Sequence, residues 1–242
     1  MPNALLSSLP SDLQQYLNSA RELTRQYTPP STSTALFPTT IDGLDDLLTG
    51  GLYRGQMIEL VGYRSSGRFS TVLSLLAATT MAGEAAALID LGNNLDPQQA
   101  ALSGVDLQRL LWIRPQRLKD VLASAEALLA GGFPLVVIDL GTPPVPGGRG
   151  GEASWLRLAR AALSHEAIVF VSSPYRVSGT AATGVVKATQ GRPLWTNRRQ
   201  TPRLLTGLTS KLSLEKLRGQ CGGRSSTLHL TTHEALTFGM AT

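Results

Sequence analysis

The chain has a single cysteine, Cys221, among its 242 residues, which excludes an internal disulfide framework and fits a reducing compartment. Its opening, MPNALLSSLPSDL, lacks a basic segment followed by an apolar core, so no secretory leader is expected. No uninterrupted apolar run approaches the roughly 18 residues of a membrane span. Even the alanine-rich stretch 72–89 carries Thr79, Thr80 and Glu84. A cytoplasmic location is expected. The three histidines, His165, His229 and His233, form no metal-ligand spacing and are read as structural. Trp112, Trp155 and Trp195 are read as core or edge packing.

Acidic residues are scarce in the last two-fifths. Residues 147–242 hold 13 basic and 4 acidic side chains, a balance of +9, whereas 1–146 hold 9 basic and 13 acidic, a balance of −4. The formal charge of +5 thus conceals a strongly positive C-terminal part. Such a field is either an ordinary solvated surface or a face for a polyanion, and nucleic-acid contact is the sharper expectation.

With 42% hydrophobic and 16% charged residues, the chain is of a size and composition for one α/β domain with modest extensions. Residues 11–27, SDLQQYLNSARELTRQY, open with Ser11 and Gln14 in capping-box spacing. They place Leu13, Tyr16, Leu17, Ala20, Leu23 and Tyr27 on one helical stripe. The following TPPSTSTA ends that helix, so residues 1–35 are expected as a helix and linker and 36–242 as the main domain. The stripe packs either on its own domain or on a neighbouring copy.

From Thr39 onward, short apolar runs alternate with helix-length segments. Strands are expected at 57–63, 85–91, 110–115, 135–140 and 167–173, and helices near 68–83, 96–103, 117–131 and 154–165. This rhythm predicts a mostly parallel twisted sheet with helices on both faces. KLSLEKLRG (211–219) and STLHLTTH (226–233), joined by QCGGRS, read as an antiparallel hairpin.

The chemistry gathers at ELVGYRSSGRFS. Gly62 and Gly67 have the separation of a phosphate-binding loop, in which glycines let backbone N–H groups face phosphates at a helix N-terminus. Asp139 ends a buried strand where an acidic partner would face the same crevice. Any nucleotide site would therefore consist of Gly62, Ser65, Ser66, Gly67, Arg68, Ser70 and Asp139. Two side chains depart from the pattern. Arg68 stands where the loop wants lysine, a compact charge for which the planar guanidinium is a poor substitute. Phe69 stands where a hydroxyl would hold Mg²⁺. Ser70 lies about 100° further round the helix and does not simply replace it.

The run TTIDGLDDLLTGGLYRGQMIELVGYRSSGRFS, continued by ALIDLGNNLDPQQAALSGVDLQRLLWIRP and later VVIDL, resembles the bacterial RecA recombinase core in order, spacing and type. The resemblance implies a RecA-like core and also marks losses. Gly92 takes the place of the glutamate that polarises the attacking water, Gln99 that of the aromatic residue stacking on adenine, and Ser172-Ser173 that of the Asn-Gln pair relaying nucleotide state. Hydrolysis is not expected; ATP is the one cofactor the loop suggests, and none is required.

By order, the counterparts of the family's two DNA loops are 142–153, with Arg149, and 174–194, with Arg176, Lys187 and Arg192. Arg198, Arg199, Arg203, Lys211, Lys216, Arg218 and Arg224 would enlarge that surface, binding phosphates of single-stranded DNA without reading sequence. Reduced RecA relatives of this kind are similar to the ImuA (SulA-related) accessory proteins. That resemblance implies a place in the SOS response and translesion synthesis beside RecA and an error-prone polymerase complex. A divergent ATP-dependent recombinase is the alternative.

Overall fold

The central apolar runs become strands because they are buried on both faces, leaving main-chain ladders as the way to satisfy their N–H and C=O groups. The computed structural model describes residues 36–145, 151–189, 191–196, 202–217 and 222–231. The expected N-terminal helix, together with Arg149, Arg198, Arg199, Arg218, Cys221 and His233, lies outside the described residues.

A two-stranded ribbon, β1 (Leu36–Phe37) with β2 (Leu52–Tyr53), brackets the short helix α1 (Asp42–Leu47). The alternating series follows: β3 (Met57–Gly62), α2 (Arg68–Met81), β4 (Ala86–Asp90), α3 (Pro97–Leu102), β5 (Leu110–Ile113), α4 (Leu118–Ala130), β6 (Leu135–Asp139), α5 (Glu152–Ser164) and β7 (Ile168–Ser173). The last strands are β8 (Gly184–Ala188), β9 (Arg192–Trp195), β10 (Leu205–Leu217) and β11 (Ser225–Thr231). They form one nine-stranded sheet in the order β11-β10-β8-β3-β7-β6-β4-β5, with β9 paired to β10 beyond the end of β8. The strands from β8 to β5 run parallel, while β9 and β11 run antiparallel to β10.

Two apolar layers flank the sheet. One packs Val121, Leu128, Trp155 and Leu158 of α4 and α5 on Val136, Ile138, Val169 and Val171. The other packs Leu44 and Leu47 of α1 and Val72, Leu75 and Leu76 of α2 on Ile58, Leu60, Phe170, Leu212 and Leu228. No helix among the described residues is long and apolar enough to cross a membrane.

Residues 174–194 were expected as a single DNA-contacting loop, but the connection ends at Thr183: Lys187 lies within β8, between β3 and β10, and Arg192 opens β9. The short connection is also tied down. Glu59 of β3, fully buried, accepts from Ser173 Oγ at 2.9 Å, from Val177 N at 2.8 Å and from both N and Oγ of Ser178. Lys216 Nζ donates to the carbonyls of Ala182 at 2.6 Å and Thr180 at 3.0 Å, and Thr180 Oγ1 donates to Glu152 Oε1 at 2.7 Å. Lys216 therefore holds main chain together, with two of its three N–H donors committed to carbonyls.

Candidate nucleotide site

Strand β3 delivers the chain to Gly62, a turn over Tyr63–Ser66 follows, and α2 starts at Arg68. Gly67 takes φ +87°, a left-handed conformation that glycine adopts without strain, and this aims the next residue inward. Residue 68 becomes the first of the helix, directed at the ends of β6 and β7.

Arg68 is buried, with a relative exposure of 7%. One terminal nitrogen donates to Ser172 Oγ at 2.7 Å and the other to the Gly141 carbonyl, also at 2.7 Å. Ser172 Oγ in turn donates to Asp139 Oδ1 at 2.7 Å, and the Arg68 guanidinium lies 3.6 Å from the same oxygen. Asn94 Nδ2 donates to Asp139 Oδ2 at 2.7 Å. The guanidinium thus occupies the space in front of the acidic residue, with the Ser172 hydroxyl wedged between cation and carboxylate.

Burial governs the charges of this pair. It lifts the Asp139 carboxyl above its usual range; the hydrogen bonds from Ser172 and Asn94 and the charge of Arg68 oppose that rise. Burial likewise lowers the Arg68 guanidinium, against the pull of Asp139. In both groups removal from water outweighs the partner, as expected of an ion pair in the interior. Arg68 Nε and Ser66 Oγ are buried without a hydrogen-bond partner among the described residues.

The other altered positions complete the change. Phe69 packs against the apolar layer of α1 and α2 and offers no oxygen. A Cβ on Gly92 would meet the Asn94 amide and stand 2.6 Å from Gly141 Cα, so no side chain fits where the resemblance places the water-polarising glutamate. Asp90, two residues before it, is consumed as an acceptor for Asn94 N and Leu95 N, both at 3.0 Å, and for Trp112 Nε1 at 3.2 Å. Outside the loop, a Cβ on Gly67 would lie 2.7 Å from Leu230 Cδ1 and 2.9 Å from Leu228 Cδ2, so β11 closes over the start of α2.

Ser70 does not join the Arg68–Asp139 cluster. It is exposed and lines a cavity of ≈ 900 Å³ with Thr40, Asp42, Asp46, Ser74, Gln99, Ser103, Thr227, His229 and Thr231. Gln99 thus borders an open space and has no ring to stack on a base. Sequence reasoning missed Asn94 and Gly141, which hold Asp139 and Arg68 from loops after β4 and β6. The Asn-Leu-Asp-Pro run after an apolar strand was visible, but not which acid its amide would reach.

The residues present do not fit a magnesium nucleotide. A protein cation already neutralises Asp139, the metal-binding hydroxyl is absent, and the position of the base is closed. Among the described residues no cluster of His, Cys, Asp or Glu could hold a metal ion.

Of the residues expected to meet DNA, Lys187, Arg192, Lys211 and Arg203 are exposed on the strands or loops of β8–β10. The Arg203 guanidinium lies 5.8 Å from the centre of the Trp195 ring, which is 49% exposed at the end of β9. Arg224 donates to the Asp46 carbonyl at 2.6 Å, tying the hairpin to α1. Arg176, exposed, donates to Gly179 O at 3.2 Å within its own loop.

Sheet order, loop and flanking helices together have the layout of a RecA-like α/β core fold. Residues 30–149 match the family model of the RecA N-terminal domain. The chain is 39% identical over 98 residues to protein RecA of Clostridium acetobutylicum, covering 40% of this chain and 28% of that protein. It is 40% identical over 114 residues to protein RecA of Clavibacter michiganensis, covering 46% and 32%. These matches span about a third of the length of the curated relatives. Among solved structures, the RadB recombinase superposes with a TM-score of 0.61 at 17% identity, over 83% of this chain and 98% of that one. That likeness concerns the fold.

Proposed function

We propose that this chain is a RecA-like accessory protein of the bacterial DNA-damage response, which binds single-stranded DNA and repair proteins without hydrolysing ATP. The observation that carries the reading is the guanidinium of Arg68, hydrogen-bonded to Ser172 and Gly141 in front of Asp139. A recombinase core with its own cation in that place keeps the scaffold and gives up the cycle that a catalytic loop drives. The positive C-terminal part supports contact with DNA. The resemblance to ImuA proteins supports a role in translesion synthesis, with RecA and an error-prone polymerase complex as partners.

Two measurements test this. Purified full-length protein, with or without single-stranded DNA, is expected to show no ATP turnover beyond that of its Asp139→Asn variant. Steady turnover that disappears in the variant would instead restore the divergent ATPase reading. In the host, deletion of the gene is expected to lower damage-induced mutagenesis while homologous recombination stays intact. A loss of recombination with unchanged mutagenesis would assign the chain to strand exchange.

A further inference from the structure

The β8–β9–β10–β11 end of the sheet has two unlike faces. Side chains alternate along a strand, and on one face Leu208, Leu212 and Leu214 of β10 and Leu228 and Leu230 of β11 turn toward the layer of α1 and α2. On the other face stand Thr209, Lys211 and Ser213, none of them buried, and no described helix covers them. The register extends this outward face across the neighbouring strands. Arg192, Thr209 and His229 form one rung, Thr189, Lys211 and Thr227 the next, and Lys187, Ser213 and Ser225 the third.

Three cations, Lys187, Lys211 and Arg192, therefore follow one another diagonally, with neighbours about 7–8 Å apart at the backbone. All three are exposed and none is ion-paired among the described residues. Hydroxyl groups of Thr209, Ser213, Ser225 and Thr227 fill the positions between and beside them. β8, β9 and β11 carry no acidic residue, and β10 carries Glu215 alone, at the bulge between Leu214 and Lys216.

We infer that this open sheet face, and not the loop after β7, is the track along which the chain holds a single strand of nucleic acid. A row of unpaired cations interleaved with hydroxyl donors is the chemistry that follows a phosphate backbone without reading bases. The loop after β7 is fastened to Glu59, Glu152 and Lys216, and its Arg176 is bonded within the loop. The inference rests on the DNA-binding part of the proposed function and assigns it a place.

The test uses the full chain and a labelled oligothymidylate, with binding followed by fluorescence anisotropy across a salt series. Replacing Lys187, Lys211 and Arg192 together by glutamine is expected to weaken binding about tenfold or more at low salt. It should also reduce the slope of log K against log salt by about 2, since each phosphate contact on a single strand contributes roughly 0.7. Arg176→Ala is expected to bind as wild type does. All three positions are exposed, so the triple variant should melt with the wild type, and a melting curve checks that it is folded. Wild-type binding that the triple variant retains, or that Arg176→Ala abolishes, overturns the track and leaves DNA binding standing. No binding by the wild type overturns both. Equal binding of polyglutamate through the same three cations would assign the face to an acidic protein instead.

Discussion

Arg68→Ala is expected to cost about 3–5 kcal/mol of folding stability, because it leaves the Asp139 carboxylate buried without its cation. For a domain of this size that corresponds to a fall of roughly 10 °C or more in Tm. Arg64→Ala, on the exposed part of the same loop, is the comparator and should stay within about 0.5 kcal/mol. The pH dependence has a definite sign. Burial already raises the Asp139 carboxyl above its unfolded value, and Arg68 is one of the groups holding it down. Without Arg68 the folded carboxyl rises further and the folded state binds the proton more tightly. Its stabilising contribution is then complete below the unfolded value of 3.8 and lost as pH rises through the folded value. The deficit of Arg68→Ala relative to wild type should therefore shrink on acidification. Adding Asp139→Asn should recover part of the loss at neutral pH. Thermal melts of wild type, both single variants and the double variant at several pH values check this. A variant as stable as Arg64→Ala at neutral pH would mean that the buried pair contributes little.

Gly92→Glu, which would place a carboxylate where the resemblance to RecA puts a glutamate, is expected to destabilise by more than about 3 kcal/mol and to yield no ATP turnover. The clash begins at Cβ, 2.6 Å from Gly141 Cα, where a main chain must move and a side-chain rotation gives no relief. A new carboxylate would also stand near Asp90 and Asp139, both buried, where like charges and desolvation oppose ionisation. Gly92→Ala isolates the steric part and should already lose about 1–3 kcal/mol. Denaturant titrations of the two variants check the order. Wild-type stability in Gly92→Glu would show that the loops after β4 and β6 part readily.

Much of this architecture was legible because burial writes itself into composition. MIELVG, AALID, LVVID and IVFVSS read as strands since buried parallel strands are apolar on both faces, and the segments between them have helical length. Strands β8 and β9 were not legible. GVVKA is short and interrupts its apolar run with Lys187, and RPLW is exposed throughout and contains a proline. Both are held by β10, a long-range pairing that no local pattern announces. The hairpin was visible, but β10 begins six residues earlier than the sequence suggested, because its first half pairs with β9.

At the site, residue types were readable and destinations were not. The spacing of Gly62 and Gly67 marked the loop, and Arg68 and Phe69 marked its departure. Whether Arg68 turned outward to a ligand or inward to the protein depends on Ser172 and Gly141, 104 and 73 residues further along the chain. The contact of Gly92 with Gly141 is likewise a meeting of two distant loops, and a glycine in sequence does not say what approaches it.

That meeting bears on descent. With Gly141 pressed against residue 92, a chain that had lost its glutamate could let the two loops settle together, and the settled packing then penalises the glutamate's return. A single codon change no longer retraces the path. On the non-hydrolysing role proposed above, a lineage carrying this contact is held, as by a ratchet, to work done through its surfaces.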